Sequence, residues 1–410
     1  MLLDCVFYKI SIEKWLIHIS TCTTTITTNV INSNILKGGS TLKFRVQQNE
    51  LNKHLNIAQR GISNRSTLQI LEGILIEAKD NKLKLTSTDL EISIETTLDA
   101  NVIEEGKVVI NSRIIGDIVK KLPNDEVFFD IVNNKVNIKC QKSDFNIISN
   151  PGDDYPELPI VIETSKFDIP QNILKTAIRQ TSFTTSQDES RAVLTGVLFE
   201  IEDGILTFVS LDGYRLSMRK ENIGVKESLK LIVPARVLNE LNKIIEDNDE
   251  PISLAIANGQ IIFTLKDTVI YSKLLEGQFF NYKDIVRTNH NTTVLVNRKN
   301  LLDSLERASL LAREQRANLV KLSITDDYLS IKSNSEIGDV FEEIELIKKE
   351  GEDVNIAFNS RYLMDGIRVI DSEEIELNFV SSLNPCIMRA KDDEKYIYLV
   401  LPVRLAQDDF

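Results

Sequence analysis

Several common chemistries lack their usual residues in this 410-residue chain. Its three histidines, His18, His54 and His290, are far apart and form no His-Glu-x-x-His pair. No GxxxxGK[ST] or GxGxxG loop is present to hold a nucleotide phosphate, and no GxSxG turn presents a nucleophile. The acidic pairs Asp153–Asp154 and Asp326–Asp327 lie in turn-like sequence, which is typical of solvated carboxylates. The sequence therefore predicts no catalytic residue, no metal and no cofactor.

Cysteine and long apolar runs are also scarce. The four cysteines form no CxxC pair, which indicates reduced thiols: Cys5, Cys22, Cys140 and Cys386. No apolar run approaches the ~20 residues that a membrane span requires. Charged residues such as Lys9 and Glu13 interrupt the N-terminal stretch, which argues against a signal peptide. These features favour a cytoplasmic location.

The bulk composition is that of a globular protein with several domains. Hydrophobic residues make up 42% and charged residues 27% of the chain, and its length suggests two to four domains. The net charge of −13, taken alone, argues against a nucleic-acid partner.

An internal repeat organises the chain. Residues 73–89 (GILIEAKDNKLKLTSTD) align with residues 196–212 (GVLFEIEDGILTFVSLD) at an offset of 123, and a weaker third copy occupies 320–336. Six amphipathic segments flank these copies and have the helical period: 49–60, 111–122, 170–180, 234–245, 297–316 and 359–370. Paired strand patterns follow, with an Asn-Asn turn in one pair and an Asn-Gly turn in another. The repeat predicts an α+β fold of three tandem domains, each made of two half-units in which one helix is followed by strands.

The predicted domains are 42–160, 161–289 and 290–410. Their boundaries fall near DDYPELP (153–159) and FFNYKD (279–284). Residues 1–41 have no counterpart in the repeat. Lys37-Gly38-Gly39 can be encoded by a sequence that resembles a ribosome-binding site, and Leu42 can be encoded by an alternative start codon. We therefore expect either a mis-assigned start or a separate N-terminal extension.

Positive charge is concentrated on the six helical segments. They contain 16 basic and 7 acidic residues, a net charge of +9, so the rest of the chain carries −22. If the helices face one surface, that surface can bind phosphates without reading sequence. The candidate DNA-binding residues are Arg60, Arg65, Arg113, Lys120, Lys175, Arg179, Arg236, Arg313 and Arg316.

The sequence resembles the β subunit of bacterial DNA polymerase III, the sliding-clamp family, from about Leu42 to Leu405. The motifs that carry this resemblance are KFRVQQNEL, LTSTDLEI, LDGYRL, YSKLLEGQF and LVLPVRL. The resemblance implies a head-to-tail homodimeric ring around double-stranded DNA. It places Phe145 and Ile147 on one side of the dimer interface, and Leu310 and Leu311 on the other.

The resemblance also implies a pocket that captures peptide motifs of the polymerase α subunit, the clamp loader and other proteins. The matching positions are Leu194, Gly213, Tyr214, Arg215, Leu216, Asn359, Tyr362, Leu399, Leu401, Pro402, Val403, Arg404 and Leu405. This chain departs from many relatives by having Phe280 and Asp284 at the pocket rim and by continuing through Ala406 to Phe410. That acidic tail is expected to compete weakly with partners for the pocket.

The function that this resemblance implies is that of a non-catalytic processivity factor that tethers the replicative polymerase to DNA. Two alternatives stay open at this point. One is a three-domain DNA-associated scaffold protein that never closes a ring, and the other is a nuclease or similar DNA-acting enzyme.

Overall fold

The computed structural model describes residues 41–63, 68–158, 165–286, 289–313 and 318–404. The α-helices in this part of the chain are α1 Gln48–Ala58, α2 Ser112–Lys121, α3 Gln171–Thr181, α4 Ala235–Ile244, α5 Arg298–Ala312 and α6 Ser360–Arg368. Each coincides with one of the six predicted amphipathic segments, although α5 ends at Ala312 and not near residue 316. Asparagine side chains cap the N-termini of α2, α5 and α6 by accepting a hydrogen bond from a backbone N–H. These asparagines therefore define where the three helices begin.

Antiparallel strands make up most of the remaining structure. In the first repeat copy they are β1 Thr41–Gln47, β2 Gly73–Lys79, β3 Lys82–Thr88, β4 Ile92–Asp99, β5 Asn101–Glu104, β6 Gly106–Asn111, β7 Glu126–Val132, β8 Lys135–Cys140, β9 Ser143–Ile148 and β10 Asn150–Pro151. In the second they are β11 Ser165–Pro170, β12 Gly196–Glu202, β13 Ile205–Leu211, β14 Arg215–Asn222, β15 Leu229–Pro234, β16 Pro251–Ala257, β17 Gln260–Thr264 and β18 Thr268–Lys273. In the third they are β19 Thr292–Asn297, β20 Leu319–Ile324, β21 Tyr328–Ser335, β22 Gly338–Glu345, β23 Lys348–Glu350, β24 Val354–Asn359, β25 Glu374–Phe379, β26 Cys386–Ala390 and β27 Tyr396–Val400. The predicted α+β class, with three tandem copies, is confirmed.

Each half of a copy begins with a strand, and the helix follows it directly, as β1 precedes α1 and β6 precedes α2. The predicted order of helix first and strands second therefore missed one strand in every half-unit. Segments such as 106–111 are short and lead straight into a helix, so their period-2 pattern is hidden by the helical pattern that follows.

Two sheets of nine strands cross from one repeat copy to the next. The first runs β10-β6-β2-β3-β4-β18-β17-β16-β11, and the second runs β15-β12-β13-β14-β27-β26-β25-β19-β23. Strand β4 pairs with β18, with Ile94 opposite Ile270, while β14 pairs with β27, with Leu216 opposite Leu399. The two remaining sheets contain five strands (β5-β1-β7-β8-β9) and four strands (β22-β21-β20-β24).

Tight turns connect the predicted hairpins. Asn133 and Asn134 have φ of 53° and 64°, and Asn258 and Gly259 have φ of 47° and 75°. Positive φ at both central residues defines the turn whose twist matches paired strands, and asparagine and glycine tolerate it best. These two hairpins are present as predicted.

Three apolar cores fill the copies, and the helices cover them in pairs: α1 beside α2, α3 beside α4, and α5 beside α6. Aromatic pairs lie inside the first two cores, Phe44 against Phe129 and Phe199 against Phe208, each with ring centroids 4.6 Å apart. A further apolar cluster joins the second and third copies through Leu194, Leu216, Phe279 and Leu399.

Cys140 and Cys386 are free and buried, as expected of reduced thiols, and burial raises the pKa of the Cys386 thiol. Cys5 and Cys22 lie outside the described residues. Within the described ranges, no helix is both long and apolar enough to cross a membrane.

Candidate nucleic-acid and peptide interfaces

The helix pairs are joined end to end in one row, in the order α2-α1-α4-α3-α6-α5. Arg60, just after α1, forms an ion pair of 3.1 Å with Glu240 of α4. Gln180 of α3 donates from Nε2 to the Val369 carbonyl at the end of α6, at 3.0 Å. These contacts bridge the first two copies and the last two, so the six helices form a continuous surface along the chain.

Part of the predicted basic set is available on this surface. The Arg113 side chain is 90% exposed and lies 3.9 Å from Asp117, and Lys120 and Arg313 are exposed. The DNA-binding residues predicted from the sequence did not include Lys53, Lys121 and Arg361, which are also exposed on these helices. Their signal was available, because each occupies a polar position of an amphipathic segment.

The other predicted cations have protein partners. Lys175 donates from Nζ to the carbonyls of Asn242 and Ile245, at 3.1 and 2.6 Å, at the C-terminal end of α4. Arg179 donates to the Val369 carbonyl at 3.2 Å and pairs with Asp371, and Arg236 pairs with the buried carboxylate of Asp89. These side chains hold helices and junctions together. Arg65 and Arg316 lie outside the described residues.

A tight turn positions the first wall of the predicted pocket. Asp212 Oδ1 accepts the backbone N–H groups of Tyr214 and Arg215, at 2.9 and 3.1 Å. Gly213 adopts φ of 94°, which glycine reaches without strain. The turn leaves the Tyr214 ring 61% exposed while it directs Arg215 and Leu216 inwards.

Arg215 links the second and third copies. It donates from Nε to Asp212 at 2.9 Å and from NH1 to Asp365 of α6 at 2.7 Å, and its guanidinium lies over the Tyr362 ring at 4.5 Å. Burial alone would lower the pKa of Arg215, but the groups around it, including both carboxylates, outweigh burial and raise that pKa. Arg215 is therefore a fixed cation, and sequence reasoning missed its partner Asp365.

The end of β27 forms the second wall. Leu401 donates its N–H to the Tyr214 carbonyl, and Val403 donates to the Ala357 carbonyl, each at 2.8 Å. The rings of Tyr214 and Tyr362 stack with centroids 6.0 Å apart.

The structure thus brings the predicted pocket residues together. Leu194, Leu216 and Leu399 are buried beneath the pocket, and Asn359 caps α6 beside it. Leu401 and Arg404 are exposed at the rim, and Pro402 and Val403 are half-buried between them. Leu405 and the segment 406–410 lie outside the described residues.

The same turn occurs at the junction of the first and second copies. Asp89 Oδ1 accepts the N–H groups of Glu91 and Ile92, each at 3.0 Å, and Leu90 takes the positive φ that Gly213 has in the other turn. Lys273 donates its N–H to the Glu91 carbonyl, which matches the bond from Leu401 to Tyr214. The repeated aspartate in the sequence is thus explained by its backbone bonds.

The predicted interface residues lie in two separate places, on the outer strand of the five-stranded sheet and on α5. Phe145 and Ile147 are on β9, the last strand of the five-stranded sheet, and Phe145 is 38% exposed. Leu310, 62% exposed, and Leu311 are near the end of α5, which packs on β21 and β22 at the edge of the four-stranded sheet. One chain does not bring these two groups together.

Neither a metal centre nor a histidine-based site is evident in the described part of the chain. No cluster of three or more His, Cys, Asp or Glu is suitable for a metal there. His54 is buried, and its Nδ1 lies 2.6 Å from Thr96 Oγ1. Burial and the nearby Lys53 lower the pKa of His54, which is consistent with a neutral structural histidine.

Three tandem helix-and-sheet copies that share sheets across their junctions define a protein of the DNA-clamp class. The chain belongs to the DNA polymerase III beta subunit family, the non-catalytic processivity factor of that polymerase. Its N-terminal, central and C-terminal domains match residues 42–159, 168–281 and 283–404. The resemblance drawn from the sequence is thereby confirmed.

Known relatives extend over the whole of the repeat. The chain is 36% identical over 376 residues to the beta sliding clamp of Bacillus subtilis, covering 88% of this chain and 100% of the relative. The crystal structure of the DNA polymerase sliding clamp from that organism matches with a TM-score of 0.86 at 35% identity, covering 90% of this chain and 100% of that one. A clamp from Pseudomonas aeruginosa, solved with griselimycin bound, matches with a TM-score of 0.85 at 26% identity, covering 89% of this chain and 100% of that one.

Proposed function

We propose that this protein is a sliding clamp that closes as a head-to-tail homodimer around duplex DNA and holds DNA polymerase III on its template. The observation that carries this proposal is the strand count of the sheets. Among the described residues, each junction between copies is spanned by a sheet of nine strands, whereas the two remaining sheets have five and four. Pairing β9 of one chain with β22 of another would make the same nine-stranded arrangement at each junction between chains, and two such junctions would close a ring.

The chemistry of the two terminal edges supports this pairing. The edge of the first copy exposes Lys135 and Lys142 on β8 and the adjoining turn, while Lys139 there pairs with Asp144 of β9. The edge strand β22 carries Asp339, Glu343 and Glu345, and its fourth acidic residue, Glu342, pairs with Arg307. Exposed apolar side chains accompany both edges, with Ile148 at 82% on β9 and Phe341 at 55% on β22. Opposite charges around apolar contacts favour association of unlike edges and disfavour pairing of like edges.

The continuous row of helices supports a channel for DNA. In a ring of two chains, twelve such helices would face the enclosed duplex, and Arg113, Lys120 and Arg313 would be available to its phosphates. A closed ring is held on DNA by linkage, so weak contacts that do not depend on sequence suffice and permit sliding. The acidic remainder of the protein would repel DNA from the outer surfaces.

The pocket between the second and third copies suits a short peptide of a partner. Buried leucines beneath it and the exposed aromatic Tyr214 provide apolar contacts, while Arg215 and Arg404 provide polar ones. We assign to it the α subunit of DNA polymerase III, the clamp loader and other proteins with clamp-binding motifs. A polymerase held here would stay at a high local concentration near its primer. We further propose that the protein acts in the cytoplasm. We also keep the predicted domain limits, which are 42–160, 161–289 and 290–410.

The alternative of a three-domain scaffold that never closes is disfavoured by the two complementary outer strands, β9 and β22, which pair with no further strand in the described ranges. Retention on DNA separates the two functions. After loading by the host clamp loader and ATP, the protein should stay on nicked circular DNA and be lost within minutes once that DNA is linearised. Equal retention on both forms, or equal loss from both, would contradict the ring. Retention of bovine serum albumin, and retention after a loading reaction without ATP, give the background signal.

A further inference from the structure

A recess of about 290 Å³ lies at the junction of the first and second copies. It occupies the place that the peptide pocket has at the next junction. Ser93 of β4 lies opposite Tyr271 of β18 in this recess, as Leu216 lies opposite Leu399 in the peptide pocket. The turn after β3, which matches the turn of the peptide pocket, borders the recess through Leu90. The repeat therefore forms the same recess twice, with different side chains.

The recess at the first junction faces away from the helices. Along β4, Ile92 and Ile94 belong to the apolar core that α3 and α4 cover. Successive residues of a strand point to opposite faces of the sheet, so Ser93 is on the outer face. A ligand would therefore reach this recess from the side opposite the helix row.

The polar groups that line the recess are hydrogen-bond acceptors. Thr88 Oγ1 donates to a backbone carbonyl at 3.0 Å, so in its 2.7 Å bond with Ser93 the serine hydroxyl is the donor and can still accept. The Tyr271 hydroxyl donates to Glu95 Oε2 at 3.2 Å, so its oxygen can also accept. Gln260 Oε1 is buried and accepts no hydrogen bond from the described residues. A ligand that donates hydrogen bonds would satisfy these three oxygens.

The rim of the recess combines acidic and apolar side chains. Glu91 and Glu157 are exposed there, and Lys273 pairs with Glu91 at 3.2 Å, so two carboxylates share the rim with one ammonium group. Pro156 and Leu158 are half-buried and form an apolar border. Positive charge in a ligand would therefore be attracted, and apolar groups beside that charge would find contacts.

We propose that the recess at the first junction binds a basic side chain, arginine in preference to lysine, within an extended segment of a partner protein. A guanidinium group has only donors, and its plane can reach several acceptors at once. Tyr271 adds an aromatic ring, a group that attracts cations. A volume of about 290 Å³ suits one long side chain with its neighbouring backbone. The apolar border favours a peptide over a free amine, because a peptide has side chains on both sides of the arginine.

The two recesses of one chain would thus select different side chains from different partners. Leucines line the peptide pocket, which suits apolar anchors, whereas hydroxyl, amide and carboxylate oxygens line the recess at the first junction. The inference goes beyond the proposed function, because it requires neither a closed ring nor DNA.

The first experiment compares three probes with the full chain in a ligand-observed NMR titration. The probes are acetyl-Leu-Arg-Leu-amide, acetyl-Leu-Gln-Leu-amide and methylguanidinium. The arginine tripeptide should bind at least about tenfold more tightly than the glutamine tripeptide, the value of one charge-assisted hydrogen bond. Equal binding of the two tripeptides would overturn the proposal. Methylguanidinium that binds as tightly as the arginine tripeptide would also overturn it, because the site would then take free amines.

The second experiment locates the site with two variants. Lys273→Leu removes the competing ammonium and should strengthen binding of the arginine tripeptide about threefold, with no gain for the glutamine tripeptide. Ser93→Leu introduces the residue that the peptide pocket has at the equivalent position and should weaken binding at least about tenfold, because it fills the recess and removes an acceptor. A damaged fold cannot produce the gain expected of Lys273→Leu. Unchanged affinity in both variants would overturn the assignment.

Tyr214→Ala is the matched control, because it alters the peptide pocket and leaves the first junction intact. It should weaken binding of a fluorescein-labelled peptide from the clamp-binding segment of the host polymerase α subunit, and it should leave the affinity for the arginine tripeptide unchanged. A parallel loss of both affinities would place the tripeptide in the peptide pocket and overturn the proposal. Failure of the proposed function would instead appear as loss of retention on circular DNA, which none of these titrations measures.

Discussion

Tyr155 shows how one buried side chain joins the parts of the first repeat copy. Its hydroxyl accepts the Thr88 N–H at 3.1 Å and donates to the Gly73 carbonyl at 3.4 Å. Burial raises the pKa of Tyr155 to about 12 from a usual value near 10. The protonated phenol is thus favoured by the fold, and its contribution to stability is complete below pH 10 and is lost as the pH rises through 12.

We expect the free energy of unfolding to fall between pH 10 and pH 12, with Tyr155 contributing up to about 3 kcal/mol of that loss. In Tyr155→Phe this part of the pH dependence should be absent, which urea unfolding from pH 9 to pH 12 can measure. The exposed Tyr328→Phe is the matched control and should keep the full decline. Equal declines in the wild type and Tyr155→Phe would contradict the assignment.

The two equivalent turns require the same positive φ but have different residues at that position, Leu90 and Gly213. Leu90 has φ of 77° and is 49% exposed, so little burial offsets its strain, whereas Gly213 takes φ of 94° and has open space where a Cβ atom would lie. Leu90→Gly should raise the free energy of unfolding by about 0.5 kcal/mol, since relief of strain exceeds the entropy that glycine loses on folding. Gly213→Leu should lower it by a similar amount or more. Urea unfolding of both variants tests the pair, and changes of the same sign would show that the turns are not equivalent.

At the scale of elements, the helices and hairpins could be predicted from the sequence, but the way in which the copies join could not. Helical periods and Asn-Asn or Asn-Gly turns are local patterns. The helix at 111–122 and the hairpin turn at 258–259 could therefore be predicted directly from the sequence. The pairings of β4 with β18 and of β14 with β27 join strands that are far apart in the chain, and no local pattern identifies such partners. The peptide pocket depends on one of these pairings, so its residues could be predicted only through the family resemblance.

The helices also show why charge alone does not identify a DNA contact. Lys175 and Lys120 are both basic residues of amphipathic segments, yet Lys175 binds the last carbonyls of α4 while Lys120 is exposed. A cation at a helix C-terminus stabilises the unpaired carbonyls and the helix dipole. The sequence of α3 does not predict this interaction, because α4 begins more than 50 residues after α3 ends.

Opposite outcomes are therefore expected for Lys175→Met and Lys120→Met. Lys175→Met should lower the free energy of unfolding by about 1–2 kcal/mol and leave the salt dependence of duplex binding unchanged. Lys120→Met should leave stability unchanged and lower the salt slope by about one. Thermal unfolding and anisotropy on the same two proteins test both statements. A reduced salt slope in Lys175→Met would return this residue to the DNA-contact set.

At the scale of the whole molecule, every junction within the chain combines three features. A sheet is continuous across it, contacts between helices bridge it, and an apolar cluster crosses it: Ile92 and Ile94 of the first copy join the core of the second, and Leu399 of the third copy joins a cluster of the second. Within the described residues, the outer strands β9 of the five-stranded sheet and β22 of the four-stranded sheet have no partner on their outer side, and exposed apolar side chains lie on both. Closure by a second copy would complete them with the geometry that the chain already uses twice.

This reasoning makes Leu310 a specific test of closure. Leu310→Lys places a charge in the proposed interface without disturbing a core, since the side chain is 62% exposed in the single chain. Loss of the apolar contact and burial of an unpaired ammonium should weaken the dimer about 100-fold. Leu383→Lys is the matched control, because Leu383 is 66% exposed in the third copy but lies away from both sheet edges. Light scattering over a dilution series should give monomer for the first variant at concentrations where the wild type and the control are dimers. A dimer of equal strength in both variants would mean that the two sheet edges do not meet through α5, and the ring would have to close through another surface.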